Sequence, residues 1–436
     1  MADGVSSDTN TDTGNGDLDV VTLDLHDESE DTRARVRGWV EAVHRSFHEQ
    51  TPSEEHLEKW LGVQRGEGAV LRGIWEQPDL PLAGPIPVAT FGYFDKHLNT
   101  GASMLLVRMV TDVTVSPTHR RRGLMRRLMT EHLDEAARDG LAVAVLTASE
   151  GSIYQRFGFG VATSEQSVRI DTSAKFRLRR PVDDGGRVVL VEASSGWDSM
   201  RTAYGRFHEA TRGSLERPGY YETWLRGYDW EDQSENRAQR IAVRLDADGQ
   251  PDGFVVWAVK EVDDAYEVGV RDLIGVTPQA RLALWQFVAD IDLAEVAVAN
   301  TPNLDPLPLA LVDHRVVRVR QRPDHVWVRV LDVPAALAAR PWFADDVLVV
   351  RVRDPLRHAD GLFTVGVADG RADVTAAEDT VADVELDVET LGALYLGGVR
   401  VQGLVDAGRV TGSPDALERF AAMADGGPMP RCATHF

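Results

Sequence analysis

The stretch Val113-Thr114-Val115-Ser116-Pro117-Thr118-His119-Arg120-Arg121-Arg122-Gly123-Leu124-Met125 gathers the side chains best suited to chemistry in this sequence. Its β-branched residues read as a strand ending at Pro117, and three arginines and a glycine then lead into a helical pattern over 125–138. The first N–H groups of a helix lack partners inside it and the helix dipole is positive there, so such a turn suits a pyrophosphate. Gly123 lets the backbone close on the phosphates with no Cβ in the way, while the arginines supply charge. Cations are disfavoured at a helix N-terminus unless an anion neutralises them, so this turn asks for a ligand.

The sequence repeats itself around that turn. Phe47-His48-Glu49 recurs as Phe207-His208-Glu209, and each triplet precedes a tryptophan in a polar helix, Trp60 and Trp224. At nearly the same distance beyond each triplet stands a second match, Val115-Ser116-Pro117-Thr118-His119-Arg120 against Val276-Thr277-Pro278-Gln279-Ala280-Arg281. Where the first copy has Arg121-Arg122-Gly123 the second has Leu282-Ala283-Leu284, so the second keeps the strand and the proline and loses the anion site. The chain reads as a tandem duplication joined near 181–186.

The elements that must position these residues follow from periodicity. A strand is predicted at 19–25 and a helix over 31–47, where Val36, Trp39, Val40, Val43 and Phe47 share one face. A second helix starts near Ser53 and is expected to end before Gly62. Strands follow at 69–75, 88–94, 104–115 and 142–147, then a short helix at 152–157. From about Pro341 the texture changes to strands at 347–353, 361–367 and 382–387, with helices at 390–395 and 415–423, the pattern of an α+β domain. The predicted fold class is mixed α/β, with domains over 18–180, 181–340 and 341–436 behind a disordered tail at 1–17.

Composition narrows the function classes. The hydrophobic fraction of 43% and charged fraction of 27% are those of a globular protein. No apolar run approaches the ~18 residues of a membrane span, and 1–17 lack the cationic start and apolar centre of a signal peptide, so a cytoplasmic chain is expected. A net charge of −22 opposes sequence-independent binding to nucleic acid and attracts cationic partners. The lone cysteine, Cys432, excludes an internal disulfide and a cysteine-rich metal site; it is given no role, and no metal ligands are assigned.

Arg120-x-x-Gly123-x-Met125 resembles the acetyl-CoA motif of GNAT acetyltransferases, (Gln/Arg)-x-x-Gly-x-(Gly/Ala), with Met125 where a small residue is usual. Together with Ala148-Ser149-Glu150-Gly151-Ser152-Ile153-Tyr154-Gln155-Arg156-Phe157-Gly158-Phe159-Gly160, it resembles the enhanced intracellular survival (Eis) family of actinobacterial acetyltransferases. That family tolerates a bulky residue where Met125 stands. The resemblance implies tandem GNAT folds followed by a sterol-carrier-like domain, acetyl-CoA as cosubstrate, and a homohexamer. It carries cofactor contacts onto Val113, Thr114 and Val115, through their backbone, onto Arg121, Arg122, Gly123, Leu124, Met125 and Arg126, and onto Ser149 and Glu150. It implies a general base in the terminal carboxylate of Phe436, and a substrate cleft beginning at Glu49, His48 and Trp60. Glu49 and Asp112 are offered as contacts for a cationic amine.

Tyr154 is the candidate general acid, because a phenol of pKa ~10 is protonated at neutral pH and can donate to a departing thiolate whose pKa is ~8.5. Its other reading is a core aromatic like Phe157 and Phe159. Three functions are weighed: acetylation of aminoglycoside or polyamine-type amines, acetylation of lysine in proteins, and a lipid-binding or scaffold protein. The intact Arg121-Arg122-Gly123 and Tyr154 argue against the last.

Overall fold

The computed structural model describes Leu18 and residues 20–76, 85–229 and 234–436; the tail expected at 1–17 lies outside the described residues. Helix Glu30–Phe47 begins at Ser29, whose side chain accepts from Thr32 N–H, and buries Val36, Trp39, Val40 and Val43 as the periodicity predicts, although Phe47 at its end is exposed. Helix Glu54–Glu67 corrects the stop expected before Gly62. A helical glycine costs only about 1 kcal/mol against alanine, and the chain leaves the helix at Gly68, which takes φ 64. The helix expected at 152–157 is a single 3₁₀ turn, Gln155–Phe157, ended by Gly158 at φ 82. Among the elements not foreseen are strands Arg371–Ala376 and Val410–Gly412 and helix Val401–Asp406.

The described strands form three sheets that do not follow the chain in order. In the first, Val20–Leu23, Val70–Ile74, Ala89–Asn99, Met104–Val115 and Val143–Thr147 are followed by Val326–Val330 and then Gly160–Val161. In the second, Glu165–Asp171 lies between Val317–Gln321 and Ala294–Pro302, with Ala265–Gly275, Pro251–Val262, Arg240–Leu245 and Arg187–Val191 beyond. The two halves thus trade strands: Val326–Val330, at the end of the second half, completes the first sheet, and Glu165–Asp171, just after Phe159, joins the second. The third sheet, centred on Asp346–Arg353 and Gly361–Ala368, packs with helices Val388–Tyr395 and Pro414–Ala424.

Central strands of the first sheet are apolar on both faces, as strands covered on both sides must be. Val143 and Val145 point into one core, shared with Val328, Val350, Leu391 and Phe420 of the C-terminal third, whereas Ala144 and Leu146 point into another with Leu128, Leu133 and Phe159. Gly160 and Gly392 permit this docking, since a Cβ on either would collide with backbone across the contact, the carbonyl of Glu389 or that of Val328. Arg329 and Asp354, both fully buried, pair across it at 2.6 Å.

Candidate active site

Met104–Val115 runs antiparallel to Ala89–Asn99 and parallel to Val143–Thr147. Register partners on the parallel side stop at Val110 opposite Leu146, so 111–115 diverge from that neighbour. A register shift between Thr90 and Gly92, with Asp112 at φ 52, marks a bulge where the strands part. Thr90 Oγ1 fixes it by donating to Asp112 O at 2.7 Å, and lies 2.6 Å from Thr114 Oγ1. A splay of this kind leaves backbone N–H and C=O groups for an extended ligand with amides of its own.

At the end of the strand the chain makes one 3₁₀ turn, Pro117–His119, and then the arginine turn. Arg121 takes φ 64 and Gly123 φ 79, and helix Leu124–Arg138 starts without a side-chain cap among the described residues. A Cβ on Gly123 would meet nothing within 4 Å among those residues, so the space against the helix start is open. Arg121, Arg122 and Arg126 are exposed around it, and Arg122 and Arg120 reach carboxylates only loosely, Glu76 at 3.7 Å and Glu150 at 4.0 Å. Leu124 is buried, and Met125, Val113 and Val115 pack partly buried on the same core, anchoring the turn from below. An uncapped, open, cation-flanked helix N-terminus fits a pyrophosphate.

The second copy is built differently at the same place. Helix Pro278–Ala289 starts directly at the proline, so Leu282, Ala283 and Leu284 are helical where the first copy has its turn. Thr277 caps it, accepting from Ala280 N–H at 3.0 Å, and Arg281 is buried in an ion pair with Asp305. Without a glycine to break the helix, the groups an anion would need are satisfied internally.

Beside the splay opens a cleft of about 730 Å³. Of the residues singled out in the sequence, Glu49, Trp60, Asp112, Val113, Ser149, Tyr154 and Phe436 line it. Thr114, Val115, Glu150 and the turn from Arg121 to Arg126 lie outside that lining. His48 caps its helix at φ 63, exposed and also outside the lining, and Trp60 is largely core, with its ring 5.9 Å from that of Trp39. Burial pushes the Asp112 carboxyl up to about 7, and the charge of Glu49 adds in the same direction. Tyr154, 8% exposed, stands edge-on to Phe159 at 6.3 Å; burial, then the charge of Glu150, pushes its phenol up to about 12. It stays protonated across the neutral range.

The C-terminal segment enters the cleft along the second half of the chain, held at nearly every residue. Arg217 donates to Ala433 O at 2.9 Å, Thr434 Oγ1 to Leu215 O at 2.9 Å, and His435 N–H to Tyr221 Oη at 2.8 Å. Tyr220 Oη donates to His435 O, and Thr147 Oγ1 to the terminal oxygen of Phe436. Arg217 is itself pinned by Asp272 at 2.7 Å and sits over the rings of Tyr204 and Tyr221. Sequence reasoning missed Thr147, Arg217, Tyr220 and Tyr221; the run Arg217-Pro218-Gly219-Tyr220-Tyr221, two aromatics after a turn, was the available signal.

Duplicated sheets, a splayed strand and an open phosphate turn define a GNAT-type acetyltransferase. Residues 30–162 and 213–330 each match an acetyltransferase (GNAT) domain, and 333–433 match a sterol carrier protein domain. An uncharacterised N-acetyltransferase of Streptomyces griseus is 34% identical over 90% of this chain and 93% of its own. N-acetyltransferase Eis of Mycobacterium tuberculosis is 34% identical over 75% of this chain and 80% of its own. Among solved structures, Eis1 from Mycobacterium abscessus matches with a TM-score of 0.73 at 30% identity, covering 84% of this chain and 90% of that one. The chain belongs to the Eis family of GNAT N-acetyltransferases, with acetyl-CoA as cosubstrate. No helix among the described residues is long and apolar enough to cross a membrane.

Proposed function

We propose that this enzyme acetylates amines of small polycations of the aminoglycoside or polyamine type, with Tyr154 as general acid and the Phe436 carboxylate as general base. The observation that carries the reading is the convergence of Tyr154, Phe436, Asp112 and Glu49 on one cleft of about 730 Å³. A volume within the ~300–1,000 Å³ typical of small-molecule sites, lined also by Asp229 and Asp324, favours a compact cation over a protein surface.

Acetyl-CoA supplies a thioester whose carbonyl carbon accepts an amine nitrogen as the carbon–sulfur bond breaks. Arg121, Arg122, Arg126 and the backbone from Gly123 to Met125 hold its pyrophosphate, and the backbone of Val113, Thr114 and Val115, with Ser149 and Glu150, aligns the rest. The Phe436 carboxylate takes the proton the amine loses, and Tyr154 Oη–H donates to the sulfur that leaves. Glu49 and Asp112, beside the wall formed by Trp60, attract the substrate's other ammonium groups. The second GNAT fold, lacking the turn, binds no cofactor.

The test is a panel of amines, aminoglycosides and polyamines against a lysine peptide, followed by release of free CoA. Faster turnover of the small polycations is expected; preference for the peptide would overturn the reading in favour of a protein acetyltransferase. We also propose a cytoplasmic homohexamer, supported by exposed Leu190, Leu293 and Leu309 on the second half. A monomeric mass by light scattering would reject that assembly.

A further inference from the structure

Where the two exchanged sheets meet the C-terminal segment, three ligand-type side chains converge that the mechanism above does not use. Glu165 opens a strand of the second sheet, His325 immediately precedes a strand of the first, and His435 is the residue before Phe436. One donor atom from each lies within 4.8 Å of the others. Glu165 Oε1 is 3.4 Å from His325 Nδ1 and 3.8 Å from His435 Nε2, and the imidazole rings stack with centroids 4.5 Å apart.

The tautomer of His325 makes this grouping informative. Its Nε2 lies 3.1 Å from the carbonyl oxygen of Thr434, which can only accept, so Nε2 carries the hydrogen and Nδ1 a lone pair. That Nδ1 is buried, has no hydrogen-bond partner among the described residues, and faces a carboxylate oxygen. Two electron-rich atoms turned toward each other in a buried place call for a cation between them. Donors on a tetrahedral zinc with bonds of about 2.0–2.1 Å stand about 3.4 Å apart, close to the two spacings found, and two histidines with a glutamate are a known zinc donor set.

We propose that Glu165, His325 and His435 form a site for a divalent transition metal, suited to Zn²⁺, that clips the end of the chain into the cleft. Thr434 O acts as the outer partner that orients His325, as such partners do for metal-bound histidine. His435, 59% exposed, leaves an entry path and a fourth position open to water. The clip joins both sheets to the residue that precedes Phe436, so an ion there fixes the terminal residue from one side while Thr147 holds it from the other. Nitrogen ligands favour Zn²⁺ over Mg²⁺, which takes oxygen.

Calorimetric titration of the chelator-treated full-length protein with zinc chloride, alongside thermal melts with and without the salt, tests the site. One Zn²⁺ per chain and a raised melting temperature are expected, with magnesium chloride producing neither. His435→Ala, a partly exposed change, and the isosteric Glu165→Gln should each weaken zinc binding about tenfold or more. Glu165→Gln also separates the alternative in which a proton, shared between Glu165 and His325, occupies the space: the amide can donate to Nδ1, so that arrangement keeps its stability without any metal. Lack of stoichiometric zinc binding, or binding undiminished in both variants, would overturn the proposal.

Discussion

Thr147 and Phe436 stand 289 positions apart in the chain, yet the threonine hydroxyl donates to the terminal oxygen of the phenylalanine. Thr147 ends the strand from which residues 111–115 diverge, so the hydrogen bond sets the C-terminal carboxyl at the mouth of the splay.

Two changes that spare the fold test what is placed there. Appending a few residues after Phe436 moves the carboxylate away, and Tyr154→Phe removes one hydroxyl. Each should lower turnover by roughly 10²–10⁴ with acetyl-CoA affinity little changed. Full activity in the extended protein would transfer the role of base to another group, with Glu49 the next to examine.

Cofactor affinity should depend on the turn of the first copy alone. Gly123 sits at φ 79 with open space around it, so Gly123→Val both strains the backbone and fills the phosphate cradle. Arg121→Ala and Arg122→Ala together should weaken acetyl-CoA binding by about 1.5–3 kcal/mol for each charge-assisted hydrogen bond removed. Calorimetry should find one acetyl-CoA per chain; two would mean that the second copy, despite its self-capped helix, still binds.

Asp112 makes a signed prediction about pH. Its carboxyl is raised from 3.8 to about 7, so between those values the folded state binds a proton that the unfolded state does not. Stability from this group is therefore present at low pH and lost as pH rises through about 7. Asp112→Asn should melt above the parent protein at pH 8, the difference shrinking as the pH is lowered. In the parent, KM for a cationic amine should rise as pH falls through 7 and the charge disappears; a KM indifferent to pH in both proteins would remove Asp112 from substrate binding.

Docking of the C-terminal third is open to a structural test. Asp354→Ala strands the fully buried Arg329 guanidinium and should cost about 3–5 kcal/mol in denaturant unfolding. Gly392→Ala drives a methyl group into the backbone of Val328, an overpacking that typically costs about 1–3 kcal/mol. Both should also reduce turnover, because the domain that carries the terminal carboxyl loses its seat. Unaltered unfolding in Asp354→Ala would show the pair to be dispensable.

What could be read from the sequence was local. The turn from Arg120 to Gly123 is contiguous, and its composition contradicts ordinary helix capping, so it stands out without any partner. Met104–Val115 is legible at its observed bounds because β-branched residues and a proline mark both its run and its stop. The exchange of Val326–Val330 and Glu165–Asp171 was hidden, since alternation tells which face a residue takes but not which strand lies beside it. His325, Glu165 and His435 share no motif spacing and meet only because of that exchange. Leu282-Ala283-Leu284 revealed that the arginines and the glycine are absent from the second copy, but not that the turn had become continuous helix, which depends on Pro278 serving as the first helical residue.

The traded strands also govern how the molecule can be made. As the polypeptide leaves the ribosome, the first acetyltransferase fold must wait with a gap between Val143–Thr147 and Gly160–Val161 until residue 330 has been synthesised. Two apolar strand edges stay open to solvent meanwhile, the kind of surface that draws chaperones or neighbouring chains. Neither half is a separable folding unit: expressed alone, each would lack a strand that only the other can lend, so the pair must reach the native state together, slowly, through contacts between distant parts of the chain.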